Sequence, residues 1–159
     1  MKLRDDKLTK IQEAKKIIEE ADKIVIGAGA GLSAAAGLTY SGSRFEVFFK
    51  DYIARYGMQD MYSAGFYPYP DEESYWGYGS KQAILGGIDL DVTLLHKTLL
   101  NMLSGKKIFV LSTNADGQFV KAGLPEDQIF CTQGDYFHIQ CRKGCHDKLY
   151  DAVDLFRQM

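Results

Sequence analysis

A short β-branched run that ends in a ladder of glycines constrains this chain more than any other feature. Lys23-Ile24-Val25-Ile26 stops at Gly27-Ala28-Gly29-Ala30-Gly31, and small residues follow as far as Gly37-Leu38. The run reads as a buried parallel strand and the small residues as a helix behind a tight turn. That order of elements is one that cradles a pyrophosphate. Glycines let the backbone approach the phosphates, and the helix start offers unpaired N–H groups and a favourable dipole. The same residues also suit a plain strand-to-helix turn with alanines packed under a sheet, and a glycine triplet alone is a loose dinucleotide fingerprint.

The flanking segments supply an α/β pattern. Leu8, Ile11, Ala14, Ile18 and Ala21 recur at helical spacing, which predicts an amphipathic helix over about 7–21. Phe45, Phe48, Phe49, Tyr52, Ile53 and Tyr56 predict a second helix. Val92, Leu95, Leu99 and Met102 share a face of a third, over about 91–104, with Gly105 as its stop. Lys107-Ile108-Phe109-Val110-Leu111 is a second apolar strand. Alternation of helix and strand predicts a partial Rossmann-like parallel sheet with flanking helices, within one domain over 1–159. Residues 60–81, rich in tyrosine and broken by Pro68 and Pro70, are too irregular for one long helix. Packing between helices is favoured over a lid there, since aromatics mostly fill cores. Leu149, Ala152, Val153 and Phe156 predict a closing helix.

Composition narrows the function classes. With 19 basic and 21 acidic residues the formal net charge is −2, and no basic face marks a nucleic-acid or membrane surface. The charged first twenty residues contain no apolar run, so neither a signal peptide nor a span is expected, and a cytoplasmic location follows. The three cysteines, Cys131, Cys141 and Cys145, then read as reduced thiols or metal ligands.

The second strand runs into Ser112-Thr113-Asn114-Ala115-Asp116-Gly117, a polar segment beyond a strand's carboxyl end, where α/β sheets bind ligands. By itself it is equally an Asx-rich turn. Together with Gly29-Ala30-Gly31-Leu32-Ser33 and Gly37-Leu38, and with Lys121-Ala122-Gly123-Leu124-Pro125 further on, it resembles the sirtuin family. The resemblance runs from Ile24 to Cys145. It implies an NAD-binding fold, with Gly29, Ala30, Gly31 and Ser33 at the dinucleotide and Asn114 and Asp116 lining the ribose and nicotinamide pocket. Where deacylating sirtuins continue with proline, aspartate, phenylalanine and arginine, this chain has Thr39-Tyr40-Ser41-Gly42-Ser43-Arg44-Phe45. Arg44 is the residue expected to take over a phosphate or ribose contact.

A second departure bears on the chemistry. Sirtuins place a catalytic histidine before a glycine, eight positions ahead of the first zinc cysteine; here that position is Gln133, followed by Gly134. Nicotinamide leaves NAD as a neutral base and needs no general acid, so orientation and exclusion of water suffice for that step. Deacylation requires a base for a ribose hydroxyl, which glutamine cannot supply. Gln133 can hydrogen-bond the ribose, and its presence favours attack at the anomeric carbon by another nucleophile. Gln133, the Tyr40–Phe45 stretch and the tyrosine-rich segment resemble the macrodomain-linked branch of sirtuins. That likeness implies protein ADP-ribosyl transfer with Asn114, Asp116 and Gln133 as catalytic residues. It further implies a lipoylated carrier related to the glycine-cleavage H protein as acceptor, and a macrodomain hydrolase as functional partner.

Cys141 and Cys145 correspond to the first zinc pair of the sirtuin small module. No second pair follows; His146, His138 and Cys131 are the remaining candidates, and the adjacency of Cys145 and His146 makes them awkward co-ligands. Zinc is therefore expected of a longer protein rather than of this chain, which reads as an N-terminal portion with about two parallel strands and an open apolar edge. His96 reads as a packed or exposed helix residue. Two readings compete with the transferase: an NAD-dependent deacylase and a non-catalytic NAD- or ADP-ribose-binding module.

Overall fold

The computed structural model describes the backbone of residues 2–159 and the side chains from residue 7 onward. Helix α1 (Lys2–Glu20) leads into β1 (Lys23–Ala28), then α2 (Ala30–Ala35). A helical group follows: α3 (Ser43–Phe48), α4 (Lys50–Tyr56), α5 (Met61–Ala64) and α6 (Glu72–Ala83), closed by a π turn over Ile84–Ile88. The chain continues through α7 (Leu94–Met102), β2 (Lys107–Ser112), α8 (Gln118–Lys121) and β3 (Ile129–Cys131). It ends in a hairpin of β4 (His138–Gln140) and β5 (Leu149–Asp151), followed by α9 (Val153–Gln158).

The sheet has three parallel strands in the order β1-β2-β3, one more than the sequence suggested. Strand β1 runs on through Gly27 and Ala28, because glycine and alanine side chains obstruct nothing and the pairing with Leu111 and Ser112 holds. On one face, Ile26, Ala28, Ile108, Val110 and Ile129 pack with Leu32, Leu99, Leu100, Phe119 and Leu124, so α2, α7 and α8 cover it. The other face is the main correction to the expected doubly buried strands. Val25 and Phe130 stay 66% and 56% exposed, with Phe109 and Leu111 exposed between them. Register sets these side chains together, Val25 opposite Phe109 and Leu111 opposite Phe130.

A parallel sheet normally buries both faces. The chain alone is therefore expected to bind a hydrophobic dye such as ANS through this face. Phe109→Thr with Phe130→Thr should cut that emission severalfold while shifting stability by only about 1 kcal/mol, since exposed positions tolerate change. Dye fluorescence and thermal unfolding check it; a large stability loss would mean that the face is packed in solution.

The expected helix over 45–56 is split at Phe49, whose backbone (φ −116°, ψ 21°) ends α3 and caps α4. Phe45 and Phe49, one helical turn apart, both point inward and stack at 5.6 Å. The tyrosine-rich segment does pack: Phe45, Phe49, Met58, Met61, Ala64 and Tyr78 form one buried cluster, with Tyr52, Tyr56, Tyr67 and Tyr69 against it. It also holds a helix the sequence reading missed. Asp71 accepts a 2.7 Å bond from Ser74 N and so starts α6 directly after the prolines. The expected closing helix is partly strand: Leu149–Asp151 pairs antiparallel with His138–Gln140, and only Val153–Gln158 is helical. Among the described residues no helix is long and apolar enough to cross a membrane.

Candidate functional site

Register brings the three strand ends into line, with Ala28 opposite Ser112 and Ser112 opposite Cys131. The segments beyond them are stitched together as well. Thr113 N donates to Ala28 O at 3.0 Å, and Thr132 N to Ser112 O at 2.9 Å. Gly29 suits this closeness, since a Cβ there would come within 3.2 Å of Thr113 Oγ1, a tight contact that the threonine would have to yield to.

On this edge three polar side chains, distant in sequence, form a buried cluster. Ser33 Oγ donates to Asp116 Oδ2 at 2.7 Å. Asn114 Nδ2 donates to Ser33 Oγ and to Gly29 O, each at 3.0 Å. Asp116 Oδ1 accepts from Gln118 N at 3.0 Å. The cluster ties the glycine turn to the Asn114–Asp116 loop and fixes both rotamers. Asn114 Oδ1 takes no bond from another described residue, so an acceptor is left over for a ligand. A Cβ on Gly31 would meet nothing within 4 Å, so the backbone at the start of α2 is open to approach. Acceptors, hydroxyl, amide and bare glycine backbone at one strand edge suit the ribose and phosphates of a dinucleotide such as NAD.

The support beneath is also polar. Gln118, fully buried, accepts from Thr93 N at 2.8 Å and donates to Asp91 O at 3.1 Å, which holds the start of α7 against the Asp116 loop. Its only signal in the sequence is an amide at the head of the apolar run Phe119-Val120. Gly117, with φ +65°, makes the turn between them, and Phe137 fills the space where a side chain would stand. His96 is packed, not exposed: it is 0% accessible, its ring stands edge-on to Phe119 at 5.1 Å, and its Nδ1 lies 2.6 Å from Thr93 Oγ1. Its Nε2 has no partner.

Burial pushes the His96 pKa below its ordinary 6.5, with Asp116 opposing the shift. The unfolded chain therefore binds this proton more readily than the folded one. Stability contributed by neutral His96 is present above about pH 6.5 and declines as pH falls through that value. The melting temperature should drop between about pH 8 and pH 5, and His96→Gln should flatten part of that slope. An equal slope in the variant would assign it to other groups.

The remaining sequence candidates are spread more widely. Ala30 and Gly31 are exposed at the start of α2. Arg44, half-buried, donates to Thr39 O at 3.3 Å and to Leu85 O at 2.5 Å, so its guanidinium joins the 39–45 loop to the π turn. Gln133 is exposed in the turn after β3; no hydrogen bond links it to Asn114 or Asp116. A groove of about 450 Å³ beside the cluster is lined by Gly117, Lys121, Cys131, Asp135 and His138 among others. Beyond the hairpin strand β4, the ligand atoms of Cys141, Cys145 and His146 lie within 4.8 Å of one another. His146 thus joins the cysteine pair despite its adjacency to Cys145. Cys141 Sγ is 2.9 Å from Cys145 Sγ, and that contact lowers the Cys141 pKa. Three donors of zinc-binding type suit zinc, and a closed tetrahedral site takes four.

A Sir2 homologue solved as an NAD complex superposes with a TM-score of 0.62 at 17% identity, covering 89% of this chain and 52% of its own. Another, in complex with 2′-O-acetyl ADP-ribose, gives 0.59 at 16% identity, covering 89% and 53%. The chain shares the fold of the Sir2 homologues. In sequence, this sirtuin-like chain is 38% identical over 157 residues to a protein ADP-ribosyltransferase of Staphylococcus aureus, covering 99% of the chain and 50% of that protein. It is 35% identical over 145 residues to a probable bifunctional ADP-ribose hydrolase/ADP-ribosyltransferase of Fusarium oxysporum, covering 88% and 23%. No protein-family model matches. The sirtuin-like chain thus spans about half the length of the Staphylococcus relative.

Proposed function

We propose that this chain is the NAD-binding part of a sirtuin-type protein ADP-ribosyltransferase. The observation that carries the reading is the buried Ser33–Asn114–Asp116 cluster at the strand edge, formed where the glycine turn meets the second polar segment. Its 38% identity to a named protein ADP-ribosyltransferase supports the reaction class.

Bound NAD supplies a cationic nicotinamide that departs as a neutral base and leaves positive charge on the ribose. Gly29, Ala30, Gly31 and Ser33 hold the phosphate side through the open backbone of the turn. Asn114 orients the ribose end through its free Oδ1, and its amide hydrogens keep Ser33 and Gly29 in place. Asp116 provides a fixed carboxylate whose negative field favours the charge that develops on the ribose. Gln133, exposed at the mouth, offers an amide to the ribose hydroxyls and has no proton to trade. That chemistry favours an incoming protein nucleophile over deacylation. Arg44 lies in the same loop system and belongs to the dinucleotide-binding set through its hold on the 39–45 loop. The lipoylated carrier as acceptor, and a macrodomain hydrolase that removes the mark, complete the proposal; the fungal relative's bifunctional name fits such a pairing. Zinc, held by Cys141 and Cys145 with His146, would brace the end of β4.

The test is product analysis. Protein incubated with NAD, a lipoylated carrier and an acylated peptide should release nicotinamide in step with ADP-ribose added to the carrier. Gln133→Ala should reduce transfer by roughly tenfold to a hundredfold, the worth of one or two hydrogen bonds. Deacylated peptide as the main product would overturn the assignment in favour of a deacylase. NAD bound without any nicotinamide released would leave a binding module.

A further inference from the structure

Two segments of the proposed site each send a cation to one stretch of backbone. Helix α6 runs on through the π turn, so 72–88 is a continuous helical stretch. The last carbonyls of a helix lack intrahelical donors, and they carry the negative end of its dipole. Lys121 lies across that end: its Nζ donates to Gly87 O at 2.5 Å, to Ile88 O at 3.1 Å and to Leu90 O at 2.5 Å. Arg44, from the 39–45 loop, donates to Leu85 O of the same turn at 2.5 Å.

Hydrogen bonds lead from Lys121 back to the buried cluster. Lys121 N donates to Gly117 O at 3.0 Å, so α8 rises directly from the Asp116 loop. Gln118 N donates to Asp116 Oδ1 at 3.0 Å, and the Gln118 side chain donates to Asp91 O at 3.1 Å, next to the carbonyls that Lys121 holds. The ammonium also lies 5.7 Å from the centroid of Phe137, the ring that fills the space at Gly117. A helix of four residues has too few bonds of its own to fix its direction, so the place of α8 comes from these tethers. With a neutral side chain at 121, the Gln118 amide would be the one remaining side-chain bond among the described residues from α8 to 87–91.

We propose that Lys121 is a positioning residue for nicotinamide release: its ammonium, seated on the carbonyl end of the 72–88 helix, sets α8 so that the Asp116 carboxylate stands in one place. This rests on the reading that the Ser33–Asn114–Asp116 edge takes NAD. Asp116 acts on charge that develops during cleavage, so a shift in its place falls on the rate rather than on binding. A displacement of about 1 Å can cost about a hundredfold. Arg44 anchors the 39–45 loop to the same turn, and the turn thereby fixes the two segments relative to each other.

Nicotinamide release and NAD binding are measured for the wild-type chain, Lys121→Met and Lys121→Arg, beside their melting temperatures and amide NMR spectra. Lys121→Met should lower kcat roughly tenfold to a hundredfold at a temperature where it is folded, with the NAD dissociation constant within about threefold of wild type. Lys121→Arg keeps a cationic donor for the same carbonyls and should recover most of the rate. The amides of 116–118 should shift in Lys121→Met while those of 23–25 stay in place. A wild-type kcat in Lys121→Met, a loss that only matches its unfolded fraction, or a loss that Lys121→Arg does not recover overturns the proposal while the NAD reading stands. Wild-type protein that releases no nicotinamide overturns the transferase reading instead. Positioning is then read from the amides of 116–118 alone, and unshifted amides in Lys121→Met overturn it.

Discussion

Asp116→Ala is expected to lower nicotinamide release from NAD by about a hundredfold to a thousandfold, the cost of losing one preorganised electrostatic group. It should also destabilise the fold, because Ser33 Oγ and Gln118 N both donate to this carboxylate in a buried setting. Each stranded partner costs about 1–3 kcal/mol. Asp116→Asn separates the two effects. Its amide oxygen still accepts one of the two bonds, so most of the stability returns while the negative charge does not. Release kinetics beside thermal unfolding read both quantities. Full activity in Asp116→Asn would show that the charge has no part in cleavage, leaving this side chain an anchor for Ser33.

Gly117→Ala is expected to cost stability on a scale comparable to Asp116→Ala, through backbone and packing rather than through the polar cluster. The position holds φ +65°, and a Cβ would stand 2.6 Å from Phe137 Cε2 and 2.8 Å from its Cζ. Left-handed backbone costs a non-glycine residue about 1–2 kcal/mol, and forcing the ring aside adds about 1–3 kcal/mol. Together these predict a melting temperature lower by roughly 5–15 °C for a chain of this size. Gly144→Ala is the control: φ is +61° with nothing within 4 Å, so only the backbone part remains. Gly117→Ala with Phe137→Leu should recover part of the loss. Equal shifts for Gly117→Ala and Gly144→Ala would mean that Phe137 yields freely.

Much of this architecture could be read from residue patterns, for reasons visible in particular segments. Ile24–Ile26 and Ile108–Leu111 are β-branched or apolar runs bounded by turn residues, so β1 and β2 stood out. β3 did not, because Ile129–Cys131 is three residues long and follows Pro125 and two acids. Its pairing with β2 supplies a stability that its own sequence does not advertise. Which sheet face is covered was equally hidden: Val25 and Ile26 are alike as residues, and only tertiary packing makes one exposed and the other half-buried. Lys148-Leu149-Tyr150-Asp151 has the spacing of a helix start, yet His138–Gln140 captures it as a strand.

The candidate site divides in the same way. Asn114 and Asp116 were legible because they follow a strand, and the structure joins them to Ser33 across 81 and 83 residues of chain respectively. Gln118 and Tyr136 escaped notice, and His96 read as an ordinary helix residue, because their importance lies in what they reach. A glutamine before an apolar run, a histidine on an amphipathic helix and a tyrosine in a turn are common sights in any chain. The fully buried amide holding Asp91 and Thr93, and the Tyr136 hydroxyl that accepts from Gln82, exist only after folding.

The central claim is that the strand edge bearing Ser33, Asn114 and Asp116 receives NAD, and a titration of the isotopically labelled chain followed by amide NMR tests it most directly. Saturable shifts should concentrate at Gly29–Ser33, Thr39–Tyr40 and Thr113–Gly117, and Asn114→Ala should weaken binding at least tenfold. Shifts centred elsewhere, or none at millimolar NAD, would contradict the site as described.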